Sequence, residues 1–136
     1  MSVLGTIALL SVAVTLCYAL VAAQRDTPPP RLWTLPAIVC AAFTLWTGAA
    51  VLAEGLFGFW DNHVQSLWGI QVWVDLLIAI AIGWSFLAPR ARQVGMSPWP
   101  WLAFTGCTGC IGLTAMAARM LYLEEHGKAK HLAVAS

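Results

Sequence analysis

Three charged side chains inside apolar stretches are the first residues of this sequence that could do chemistry. Asp75 lies in the middle of an apolar run from Leu67 to Pro89, and Glu54 and Arg119 lie a few residues inside two other runs. A carboxylate in the hydrocarbon of a bilayer costs several kcal/mol unless it is protonated, paired or hydrated. An arginine can bridge two carboxylates with paired hydrogen bonds. The three residues therefore predict either a polar network that fixes helix register or a site that binds a proton or a cation.

Four cysteines form the second candidate group. Cys107 and Cys110 have the Cys-x-x-Cys spacing of thiol–disulfide exchange, which on a continuous helix puts both sulfur atoms on one face. Cys17 and Cys40 fall at a similar depth, roughly 9–15 Å from the same side of the membrane when residues are counted along helices. Thiols in apolar surroundings are usually unreactive packing groups. The four cysteines are redox candidates because of this spacing and shared depth, packing is the alternative, and no metal site is predicted.

The composition indicates that these groups belong to a membrane protein. The chain has 136 residues, of which 60% are hydrophobic and 10% are charged, and its net charge is +1. A soluble domain of this length has too little interior to bury so much apolar surface. The scattered lysines and arginines form no basic patch, which excludes a nucleic-acid partner. The lipid bilayer is the first predicted partner.

Four apolar runs are each long enough to cross about 30 Å of hydrocarbon as a helix. The predicted helices span residues 3–23, 32–57, 67–89 and 98–123, and a polar tail follows at 124–136. Short connections favour antiparallel neighbours. The sequence therefore predicts an all-α fold, a four-helix transmembrane up-down bundle, with residues 1–136 in a single domain. The first run has no basic residues before it and exceeds the length of a signal-peptide core, so its helix is expected to be retained.

The basic residues predict an orientation. Arg25 and Arg31 lie in the first connection, Arg90 and Arg92 lie in the third, and the second connection contains no lysine or arginine. The positive-inside rule places the arginine-bearing connections in the cytoplasm. With four spanning helices, both termini are then predicted outside the cytoplasm.

The third connection carries candidate anchors for the membrane surface, namely Arg90, Arg92, Gly95 and Trp99. Arginine and tryptophan side chains suit the headgroup region, and glycine suits a tight turn that needs positive φ. The arginines are therefore expected to contact lipid phosphates. The sequence contains no phosphate loop, nucleophile elbow or zinc-protease motif, and no catalytic residue is predicted.

The fourth run also carries a stripe of small residues that favours close helix packing. Its members recur every four residues, at Gly106, Cys110, Thr114 and Ala118. The helix packed there could belong to the same chain or to another copy. A homo-oligomer or a larger membrane complex is therefore predicted.

The second half of the chain resembles a known family. Asp75 stands in an apolar helix that is followed by Arg-Ala-Arg-Gln-Val-Gly-Met at 90–96, by Pro98-Trp99, and by Leu-Tyr-Leu-Glu-Glu at 121–125. Over roughly residues 67–125 this pattern resembles an uncharacterised bacterial family of small integral membrane proteins. The resemblance implies the topology and a multi-pass location in the bacterial inner (cytoplasmic) membrane. It implies no activity, and it does not include the cysteines.

Three functional hypotheses follow. The leading one is a non-catalytic accessory subunit or self-associating scaffold, held together by Asp75, Glu54 and Arg119. The alternative is a small proton-coupled transporter or solute-binding protein that uses Asp75. The second alternative is a membrane thiol-quinone oxidoreductase that uses Cys107 and Cys110; a Cys-x-x-Cys pair in a four-helix membrane bundle resembles the vitamin K epoxide reductase family, although that family's external cysteine pair is missing here. No cofactor is predicted, and a quinone or a pigment is the alternative ligand.

Overall fold

The computed structural model describes residues 2–24 and 31–134, and within these ranges the chain is all-helical. Its helices are α1 (Val3–Ala23), α2 (Thr34–Glu54), α3 (Gly58–Val64), α4 (Leu67–Gln93), α5 (Pro98–Thr108) and α6 (Cys110–Val134). The chain divides into two units, Met1–Pro30 with α1 and Arg31–Ser136 with the other helices. Arg25, which contributes to the predicted orientation, lies outside the described residues.

Three helices, α1, α2 and α4, are long and apolar enough to cross a membrane. Their 21, 21 and 27 residues correspond to about 32, 32 and 40 Å at the rise of an α-helix. Most of their large apolar side chains are exposed, as expected for helices that face lipid. The predicted association with a membrane therefore has structural support in three helices, while a four-helix transmembrane bundle is not confirmed.

The connection between α2 and α4 contains a short helix that the sequence did not predict. α2 ends at Glu54, three residues before the predicted end, because Gly55 adopts a φ of 84° and breaks the helical path. α3 follows and packs against the start of α4, where Gly69 approaches the His63 carbonyl closely. The Ser66 hydroxyl accepts a hydrogen bond from the Gly69 N–H at 3.0 Å and caps α4.

The predicted fourth helix, 98–123, is two helices that fold back on each other. Gly109 separates α5 from α6 with φ 61° and ψ −126°, a conformation open to glycine alone in practice. Beyond this turn, Gly112 lies so close to Thr105 that an added Cβ would be 2.6 Å from the Thr105 Cα. A continuous helix would separate these two residues by about 10 Å. α5 and α6 therefore form a helical hairpin, and α6 continues through most of the predicted tail.

The hairpin leaves and returns at the same end of α4. Its tip lies beside the middle of α4, where Ile80 is 3.8 Å from the position of a Cβ on Gly109. Its returning arm reaches the last turn of α4, where Arg90 and Glu124 form a salt bridge of 2.8 Å. The start of α2 packs against the same arm, with the Trp33 and Tyr122 rings 5.4 Å apart. The buried residues lie along the hairpin and the neighbouring end of α4: Ala88, Ala91, Pro98, Thr105, Gly112, Met116 and Met120.

Candidate functional site

A cavity of about 820 Å³ lies between α2, α4 and the tip of the hairpin. It extends from beside α5, at Leu102, to the region beyond the hairpin tip. The cavity is partly open, and its lining includes Phe43 of α2, Phe59 of α3, Trp73 and Trp84 of α4, and residues 105–111 of the hairpin. Its volume lies within the range of about 300–1,000 Å³ that is usual for small-molecule sites.

Aromatic rings form much of the cavity wall. Trp73 is held in place by neighbours from α3, with ring centroids 5.8 Å from Phe59, 6.4 Å from Trp60 and 5.5 Å from His63. Trp84 lines the cavity about three helical turns further along α4. Among the described residues, neither indole N–H has a hydrogen-bond acceptor. Both side chains are only partly buried, so these two N–H groups are free to donate to a ligand that carries an acceptor.

The hairpin tip adds backbone polarity to one end of the cavity. The first N–H groups of a helix have no acceptor within that helix, and Gly109 has no side chain that could cap α6. Within the described chain, the N–H groups of Cys110, Ile111 and Gly112 also receive no other cap. Helix N-termini carry partial positive charge and attract acceptor oxygens. Irregular backbone of this kind is tolerated at membrane depth only inside protein or along a cavity.

The structure does not bring the predicted charged network together. Glu54 is exposed at the end of α2 and accepts a hydrogen bond from Asn62 Nδ2 at 3.0 Å. Arg119 is exposed on α6, with its Cζ 5.9 Å from the centroid of the Tyr122 ring. Among the described side chains, the only salt bridge is Arg90–Glu124. This ion pair includes none of the three residues of the predicted network.

Asp75 is exposed and lies on the side of α4 away from the cavity. Trp73, Ile80 and Trp84 line the cavity and share one face of the helix. Successive residues of an α-helix are rotated by about 100°, which puts Asp75 roughly 200° from Trp73. The carboxylate therefore takes no part in the cavity.

The four cysteines are free thiols. Cys107 ends up on α5 and Cys110 begins α6, so the turn at Gly109 removes the shared helix face that their spacing predicted. Cys40 contacts the tip through its Sγ, 3.6 Å from the Ile111 carbonyl oxygen. Cys17 belongs to the first unit. The described residues contain no group of three or more His, Cys, Asp or Glu side chains that could hold a metal ion.

The predicted anchors lie where α4 turns into α5. Arg92 and Trp99 are exposed, and Gly95 has a φ of 78°. Arg90 contacts Glu124 through two hydrogen bonds, from Nε at 3.2 Å and from Nη2 at 2.8 Å. Its role in the structure is thus to join α4 to α6.

Sequence reasoning missed the cavity and the hairpin tip, and the available signal was the spacing of glycines. Gly106, Gly109 and Gly112 stand three residues apart in the predicted fourth helix. Gly106 belongs to the predicted packing stripe, and glycine is also typical of helix breaks. Comparison with protein-family models, with curated proteins and with solved structures finds no match for this chain.

Proposed function

We propose that this protein binds a hydrophobic small molecule within the membrane, in the cavity between α2, α4 and the hairpin tip. The cavity itself carries the proposal, because it combines a ligand-sized volume with aromatic walls and a polar end. The proposal favours the solute-binding hypothesis over the accessory subunit. It makes no use of Asp75, which lies on the other side of α4.

The lining indicates the kind of ligand. Phe43, Phe59 and Trp84 offer flat apolar surfaces to a ring or a hydrocarbon chain. The uncapped N–H groups at the start of α6 suit a carbonyl or another acceptor oxygen. A quinone-like molecule or a lipid with a compact polar group has both features. Electron exchange with Cys107 and Cys110 is a separate hypothesis that this binding does not require.

We also propose how α2, α4 and the hairpin are oriented in the bilayer. α2 and α4 cross the bilayer, and the hairpin enters and leaves on the side where Arg90 and Glu124 pair. Arg31, just before the start of α2, and Arg92, in the last turn of α4, lie on this side as well. Lys128 and Lys130 follow on the continuation of α6. The positive-inside rule makes this the cytoplasmic side. The C-terminal end of α6 is then cytoplasmic, which revises the predicted external C-terminus.

Filling the cavity tests the proposal. Gly106 lines the cavity, and a Cβ added there meets no atom within 4 Å, so Gly106→Phe puts a ring into open space. Gly48 is a matched control, since its added Cβ is equally free and the residue is not part of the lining. Native mass spectrometry of the protein, extracted gently from its own membrane, measures any bound molecule as extra mass. We expect the extra mass in the unaltered protein and in Gly48→Phe, and at least a tenfold lower occupancy in Gly106→Phe.

Two results would contradict the proposal. One is an unaltered protein that carries no bound molecule after gentle extraction. The other is equal occupancy in both phenylalanine variants, which would place the bound molecule elsewhere. Circular dichroism of each variant shows whether its helical content is retained.

A further inference from the structure

A second face of α4 carries polar groups that the proposed cavity leaves unexplained. Gln71 and Asp75 are both exposed and lie one helical turn apart. Ile78, Ile82 and Phe86 continue the same face at spacings of three or four residues, and they are 52%, 55% and 72% exposed. The Gln71–Phe86 face, defined by these five residues, points away from the cavity.

Exposure of Gln71 and Asp75, the polar end of this face, to lipid is unfavourable in free energy. Hydrocarbon offers no hydrogen-bond partner to a carboxylate or an amide. Ser85, a neighbouring polar residue, satisfies its hydroxyl within the helix by donating to the Ala81 carbonyl at 2.8 Å. Among the described residues of the Arg31–Ser136 unit, Gln71 and Asp75 have no hydrogen bond or salt bridge of this kind. A partner that supplies both a donor and an acceptor would lower this cost.

We propose that the Gln71–Phe86 face is a homodimer interface, in which α4 packs against α4 of a second copy of this chain. Gln71 supplies an amide donor and Asp75 supplies an acceptor one turn away, so the face is complementary to itself. A two-fold axis along the membrane normal lets each Gln71 donate to the Asp75 carboxylate of the other copy. The spacing 71, 75, 78, 82 is that of a left-handed helix pair, and the isoleucines then pack along the axis.

A second copy is favoured over another polypeptide because the required chemistry is already present on the face. The apolar members Ile78, Ile82 and Phe86 have no polar neighbour that demands a different partner. In membranes, hydrogen bonds between polar side chains contribute to helix association together with close packing. The interface uses neither the cavity nor the hairpin. Evidence against the interface therefore leaves the proposed binding function standing, and evidence against binding leaves the interface standing.

Cysteine cross-linking in native membranes tests the interface. The background variant has its four native cysteines replaced by alanine, and one new cysteine is introduced at a time. Ile78→Cys lies within the proposed interface, whereas Leu77→Cys is about 100° round the helix and lines the cavity. Under mild oxidation we expect a disulfide-linked dimer of this chain from Ile78→Cys and at most a tenth as much from Leu77→Cys. Equal cross-linking of the two variants, no dimer from Ile78→Cys, or a cross-link to a different polypeptide would overturn the proposal.

Substitution of the polar pair provides a second measurement. The double variant Gln71→Leu, Asp75→Leu removes the hydrogen bonds and keeps an apolar helix surface, so we expect the dimer dissociation constant in bilayers to rise about tenfold. Asp75→Asn keeps hydrogen-bonding capacity and should change this constant by less than threefold. Single-molecule photobleaching in liposomes counts the copies per complex as the protein is diluted. An unchanged dissociation constant in the double leucine variant would overturn the assignment of Gln71 and Asp75 to the interface.

Discussion

Arg90 and Glu124 show how a residue's role depends on a partner that is distant in sequence. The two carboxylate oxygens of Glu124 accept hydrogen bonds from Nε and Nη2 of Arg90, at 3.2 and 2.8 Å. Paired geometry of this kind is specific to the planar guanidinium. The side chains are 50% and 23% exposed, so solvent and headgroups weaken the attraction. The pair therefore specifies where α6 returns to α4 more than it stabilises the molecule.

Exchanging the two charges tests this role. We expect Glu124→Arg alone to lower the free energy of unfolding by about 0.5–1 kcal/mol, because it removes the partner of Arg90 and adds a like charge beside it. The double variant Arg90→Glu, Glu124→Arg should recover most of this loss. Unfolding by sodium dodecyl sulfate in mixed micelles, followed by circular dichroism, provides the measurement. A double variant no more stable than Glu124→Arg would argue against the contact.

At the scale of elements, the main difference from the sequence prediction is the break at Gly109. Residues 98–123 satisfy the length and hydropathy of a spanning helix, and glycine is common in such helices. Nothing local distinguishes a glycine that continues the helix from one that reverses it. The reversal is stabilised by contacts that only the folded chain provides: the close approach of Gly112 to Thr105, and the packing of α6 on α2 and α4.

Gly112 and Gly83 are both tightly packed against another helix, but they should respond differently to substitution by alanine. A Cβ at Gly112 would lie 2.6 Å from the Thr105 Cα and 2.7 Å from its backbone nitrogen, which cannot move without opening the hairpin. A Cβ at Gly83 would lie 2.9 Å from Cδ2 of Leu113, the flexible end of a side chain. We expect Gly112→Ala to destabilise the protein by about 1–3 kcal/mol. Gly83→Ala should cost less than about 1 kcal/mol.

The same unfolding assay in mixed micelles compares the two variants. A cost at Gly83 that equals or exceeds the cost at Gly112 would mean that α5 and α6 do not approach each other as closely as described. Gly48→Ala, in open space on α2, serves as the reference for an alanine in a helix.

At the scale of the whole molecule, the hairpin changes which helix ends lie together in the Arg31–Ser136 unit. A continuous fourth helix would carry the C-terminus to the side of α3. The hairpin returns α6 to the end of α4 that holds Arg90, so the turn after α4 and the end of α6 lie together. In the membrane arrangement that we propose, the lysines after Gly127 are then on the same side as Arg90 and Arg92, as the positive-inside rule favours.

Labelling of single cysteines with a membrane-impermeant maleimide tests this arrangement. In a background without native cysteines, Gln65→Cys reports the connection before α4, Gln93→Cys reports the turn after it, and a cysteine added after Ser136 reports the C-terminus. We expect the last two to be labelled from the same side of a sealed vesicle, and Gln65→Cys from the opposite side. Labelling of the added cysteine together with Gln65→Cys would instead support four spanning helices.

The sequence by itself predicted a lipid environment and most of the helices of this protein. Apolar runs of 20 or more residues are typical of membrane-spanning helices, so composition and length suffice to predict α1, most of α2 and α4. The depth of Asp75 could likewise be counted along α4. The direction in which Asp75 points could not, because almost every face of these helices is apolar and periodicity loses its meaning.

Only the tertiary structure decided the hairpin, the cavity beyond its tip and the separation of Glu54, Asp75 and Arg119. Each of these depends on contacts between residues far apart in the chain, such as Arg90 with Glu124 and Thr105 with Gly112. Local sequence determines whether a segment can be a helix in lipid. The packing of neighbouring helices determines where that helix must turn back, and therefore what space is left open for a ligand.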